Sequence, residues 1–79
     1  MAKLIPIDGL IGPEEPLMTI IQRYVTSIPR QTRFCYLKDD MVLMDFMDQT
    51  EVNKKATELV GDPNVIIHGP AIIHSKNEI

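Results

Sequence analysis

The sequence predicts a small α+β domain with a mostly antiparallel sheet and two helices packed on one face. Three observations carry this expectation. One long stretch repeats apolar residues at helical spacing, and Leu17, Ile20, Ile21, Tyr24, Val25 and Ile28 lie on one stripe. Two runs rich in β-formers flank the polar triplet Lys38-Asp39-Asp40, as in a hairpin. The C-terminal stretch from Asn64 to His74 is the most apolar of the chain, and Gly69-Pro70 interrupts it.

Residues 4–7 are a short strand candidate. Pro6 cannot donate to a ladder, so the strand belongs at a sheet edge or ends there, and Asp8-Gly9 reads as a turn. Gly12-Pro13-Glu14-Glu15-Pro16 resembles a helix start, with proline and acids in the first turn. Pro29 ends that helix, because the residue before a proline is pushed out of the α region. The expected helix is therefore 14–28.

The hairpin covers residues 32–37 and 41–47. Alternation places Phe34 and Tyr36 on one face, Cys35 and Leu37 on the other, and Val42, Met44 and Phe46 together. Asp45 then points with Met41 and Leu43, onto a face expected to be partly wet or at an interface. Asp48-Gln49-Thr50-Glu51 has capping-box spacing, with Asp48 or Thr50 as the cap. Val52, Ala56, Leu59 and Val60 make a short amphipathic helix, and Gly61 is a natural C-cap. Residues 64–74 form the last strand, bent at Gly69-Pro70, with residues 71–73 re-aimed toward an edge, a partner or the second helix. Residues 75–78 are a polar tail. The order β-α-β-β-α-β also admits a ferredoxin-like alternative.

Seventy-nine residues make one domain, 1–79, with a small core. Cys35 is the single cysteine and has no intrachain disulfide partner. Five methionines, three of them at Met41, Met44 and Met47, suit either core filling or an adaptable interface. Homo-oligomerisation is the expected support. A net charge of −3 argues against nucleic acid or a membrane surface as partner. No apolar run is long enough to span a bilayer. The first residues lack a signal-peptide core, and the lone cysteine fits a reducing compartment, so a cytoplasmic protein is expected.

No catalytic constellation stands out, and the chain is expected not to be an enzyme and to need no cofactor. His68 and His74 lack a third ligand for a metal, and they read as polar tips at strand ends. Cys35 lies in an apolar strand, which disfavours a thiolate. The basic cluster of Arg23, Arg30 and Arg33, with Tyr24 and Tyr36 nearby, suits a phosphate or a stacked base, or else a solvated surface that balances local acids. Asn53 sits in the early turns of the second helix, where asparagine is disfavoured. It is positioned either to bond the Gly69-Pro70 loop or to face solvent. The candidate ligand-binding set is Arg23, Tyr24, Arg30, Arg33, Tyr36 and Asn53.

The run from Asp39 to Leu43, then Asn53-Lys54-Lys55-Ala56-Thr57-Glu58-Leu59, then Val65 to Ile73 resembles the phage- and bacterium-borne "domain of unknown function 3846" family. Asn53, Ala56, Leu59, Gly69 and Pro70 match its pattern; Met41 stands where members often carry glycine. The resemblance implies a small phage-type accessory domain and brings no assigned activity. Two functions are weighed. One is a non-enzymatic oligomer that sequesters a host nucleotide-derived signal in counter-defence. The other is a protein-interaction module that binds a host protein through the Met-rich hairpin and last strand.

Overall fold

A computed structural model describes residues 1–23, 32–46 and 51–78. Four strands form one sheet: β1 (Ala2–Ile5), β2 (Arg33–Tyr36), β3 (Met41–Asp45) and β4 (Ala71–Ser75). Two helices, α1 (Leu17–Arg23) and α2 (Lys54–Val60), complete the order β-α-β-β-α-β. The protein is thus α+β with an antiparallel sheet, in spatial order β1-β4-β3-β2.

This order is not ferredoxin-like. A split β-α-β unit contains parallel neighbours, whereas β4 lies between β1 and β3 and every described pair is antiparallel. The residues explain the central place of β4. Ala71, Ile72 and His74 are fully buried, so the strand is covered on both sides. The strands that carry Lys3 and Arg33 lie at the edges, where charge is tolerated. Residues 71–73 therefore run through the middle of the sheet rather than toward an edge.

The helices lie on opposite faces, not on one. Leu17 and Ile20 of α1 pack with Ala2, Met44 and Ile72. Ala56 of α2 packs with Ile5, Leu43 and Ala71, the alternate residues of the same strands. Val42, Leu43 and Met44 are consecutive and all buried, and two apolar faces need two covers.

Among the described residues α1 begins at Leu17, later than the expected residue 14. Glu15 precedes Pro16, which disfavours the α region. It stays extended and bridges the start of β1: Ala2 N–H donates to the Glu15 carbonyl at 2.7 Å, and Glu15 N–H returns a bond at 2.8 Å. The expected end of this helix, Asp48 and Thr50 as caps, and Met47 lie outside the described residues.

The second helix begins at Lys54, and its N-cap is Asn53. Val52 is not on the helix; it pairs with His68 in a short bridge outside the sheet. Gly61 caps the C-terminus in the left-handed region, φ 69°, and donates to the Thr57 carbonyl. Residues 64–70 do not join β4. They return alongside residues 51–53 through Asn53 N–H to Ile67 O at 2.7 Å and Gly69 N–H to Glu51 O at 2.8 Å. Gly69 has φ 75°, which bends the chain before it enters β4. Ser75 belongs to β4 and residues 76–78 form a 3-10 turn, so the tail is held: Lys76 N–H donates to Asp40 O at 2.7 Å.

Candidate functional site

Of the expected arginine–tyrosine cluster, the described arginines Arg23 and Arg33 each engage a carboxylate of the same chain. Arg23 makes two hydrogen bonds to Glu15, at 2.9 and 2.6 Å, which tie the last turn of α1 to the bridge beside β1. The Arg23 bond holds the half-buried Glu15 carboxyl below its ordinary pKa. This contribution to stability is present above the ordinary glutamate range and is lost as pH falls through the lowered pKa.

Arg33 stands directly across from Asp45 in the β2–β3 ladder and donates to its carboxylate at 2.6 Å. Asp45 is 1% exposed. The face expected to be partly wet is closed at Asp45, whose carboxylate is held by a cross-strand guanidinium, while at Met41 the same face stays only half-buried. Tyr24 and Arg30 lie outside the described residues. Tyr36, 72% exposed, stands open to a ligand.

Asn53 is fully buried and structural. Its Oδ1 accepts from Ala56 N–H at 3.0 Å, and its Nδ2 donates to Ile5 O at 2.8 Å and Gly69 O at 2.9 Å. One amide thus caps α2, ties β1 and holds the Gly69 turn. Of the sequence alternatives for Asn53, the bond to the Gly69-Pro70 loop is the one observed.

The histidines are not paired tips of one strand. His68 lies in the bridge with Val52, and His74 is fully buried in β4. His74 Nδ1 is 2.8 Å from the Ser75 carbonyl, which only accepts, so Nδ1 carries the hydrogen. Phe34 meets the His74 ring edge-on at 6.5 Å between centroids. Among the described residues no three metal-ligating side chains gather. Cys35 is half-buried; burial raises its thiol pKa, and Arg33 opposes this only in part.

The open surface is a groove on the α2 side of the sheet. α2 has seven residues, about 10 Å of helix, whereas the five residues of β4 span roughly 17 Å. The helix therefore covers the Ile5–Ala71 end of the sheet and leaves the Ile73–Met41 end under its C-terminus. Two adjoining hollows, about 670 and 250 Å³, share Met41, Leu59 and Ile73. The larger opens past Tyr36, Leu37 and Lys38 of the hairpin; the smaller opens past Lys3, Ile11 and Glu14. The floor is aliphatic, and the rim carries two lysines, one glutamate and a tyrosine. Sequence reasoning missed this groove. Its signal was the shortness of the helix that ends at Gly61, set against a strand with apolar residues on both faces.

No family model, curated protein or solved structure matches this chain. Among the described residues no helix is long and apolar enough to cross a membrane.

Proposed function

We propose that this chain is a non-enzymatic protein-interaction module. It grips an apolar side chain or short segment of a partner protein in the groove between α2 and the β2–β3 hairpin. The observation that supports this is the floor of Met41 and Ile73 left uncovered by α2, with Leu59, 36% exposed, as its wall. Such a surface suits a partner's buried anchor with a polar rim around it. A host protein as partner, and a phage-type setting, rest on the resemblance carried by Asn53, Ala56, Leu59, Gly69 and Pro70.

A second reading keeps the nucleotide-derived ligand and its role in counter-defence. The exposed Tyr36 ring and Lys38 at the mouth favour it, since they offer a stacking face and a cation for a phosphate. It is the weaker reading because Arg23 and Arg33 already hold carboxylates.

Two measurements separate the readings. Capture from host lysate is compared between the wild type and Leu59→Asp, whose side chain is at the surface and leaves the core intact. Titration calorimetry is run with cyclic nucleotides and ADP-ribose derivatives. The interaction module gives a protein retained by the wild type and lost from Leu59→Asp, with no heat from the nucleotides. Equal retention by both proteins, or saturable nucleotide binding, refutes it.

A further inference from the structure

The two edges of the sheet differ, and the difference points to a second copy of the chain. β1 is closed on its outer side. The outward groups of Ala2 are bonded to Glu15, and Gly12 N–H donates to Leu4 O at 2.9 Å. Among the described residues β2, the other edge, has no such cover. Leu37 N–H donates to Met41 O, which makes residues 37 and 41 a hydrogen-bonded pair. Alternation then turns the backbone groups of Arg33 and Cys35 toward β3 and those of Phe34 and Tyr36 away from it. Among the described residues nothing bonds these outward groups. The Phe34 and Tyr36 side chains are also exposed, at 41% and 72%.

A bare edge of this kind is normally blunted by a proline, a bulge, a lysine or a covering loop. Arg33-Phe34-Cys35-Tyr36 contains no proline or lysine and pairs with β3 in unbroken register. Its single charge, Arg33, is held by Asp45 of the same chain.

We propose that β2 is a self-pairing edge: two copies join antiparallel through Phe34 and Tyr36 into one continuous eight-stranded sheet. The register follows from the outward groups. Phe34 of one copy opposes Tyr36 of the other, and the twofold axis passes at Cys35. Each outward N–H and carbonyl then meets its counterpart, and two aromatic cross-strand pairs form on one face. On the other face Cys35 opposes its own copy and Arg33 opposes Leu37, so no like charges meet. The sequence is self-complementary about Cys35, which favours a second copy over an unrelated strand. The pairing extends a small core without a disulfide, and it is independent of what occupies the groove.

Sedimentation equilibrium of the full chain tests this. The wild type is expected at twice the mass of one chain. Tyr36→Lys, altered on the more exposed of the two edge side chains, is expected at the mass of one chain with an unchanged circular-dichroism spectrum. A wild type that sediments as one chain, or a folded lysine variant that stays double, overturns the proposal. Should the variant unfold, amide exchange in the wild type decides. Phe34 and Tyr36 amides are expected to be protected alongside Leu43, and to lose protection on dilution to the single-chain mass. Exchange at surface rates in the undiluted protein overturns it.

Discussion

At the scale of single residues, three polar side chains that looked like ligand contacts, Arg23, Arg33 and Asn53, hold the chain together. Asn53 is the clearest case. Its one amide serves three backbone groups in a site with no exposed surface. Asn53→Ala removes the cap and leaves the Ile5 and Gly69 carbonyls buried without a donor. The expected loss is about 3 kcal/mol in urea unfolding. Asn53→Asp keeps the cap acceptor but supplies no donor, and it is expected to be nearly as damaging. A change under about 0.5 kcal/mol in either variant would mean that the amide is not the pin described. Cys35 gives a second expectation. Because burial raises its pKa, the native thiol is expected to react with iodoacetamide at pH 8 more slowly than the thiol of the urea-unfolded chain. Equal rates would contradict the burial. The sequence left Asn53 between a bond to the Gly69-Pro70 loop and solvent, and read it inside the helix, whereas it is the N-cap, a position that favours asparagine, and bonds Gly69. Nor could the sequence show that Arg23 and Arg33 were engaged. Glu15 is eight positions from Arg23, and Asp45 meets Arg33 only through the hairpin register.

At the scale of elements, local chemistry located most pieces, and competition between neighbours set their limits. The hairpin came through because Lys38-Asp39-Asp40 is a plain turn signal. Both aspartates take positive φ, 59° and 58°, as the central residues of a type I′ turn do. That conformation suits asparagine and glycine better than aspartate. Asp40→Gly is expected to raise stability by about 0.5–1 kcal/mol in urea unfolding, with spectra unchanged. A loss of stability would mean that the aspartate side chain holds the turn. The helix limits shifted for comparable reasons. Pro16 holds Glu15 extended and delays α1. The pairing of Val52 with His68 delays α2 until Asn53 can cap it. The last strand shortened because Gly69 takes a left-handed bend that ends one segment before β4 starts.

At the scale of the whole molecule, the layered arrangement was legible in composition but was read for one face only. Val42-Leu43-Met44 and Ala71-Ile72-Ile73 do not alternate with polar residues, and a strand apolar on both sides needs a cover on each. α1 supplies one cover in full view of its own periodicity. α2 supplies the other and is too short to finish it, which leaves the groove at Met41 and Ile73. No local pattern announces such a gap, because it is the difference in length between a helix and a strand distant in sequence. The functional proposal depends on that gap and not on the arginines. Quantitative capture of a lysate partner by two surface variants, Leu59→Asp and Arg23→Ala, tests it most directly. Leu59→Asp is expected to reduce retention at least tenfold, a loss of about 1.4 kcal/mol or more, while Arg23→Ala retains the partner as the wild type does. Retention that survives Leu59→Asp and fails in Arg23→Ala would place binding on the arginine cluster and contradict the groove.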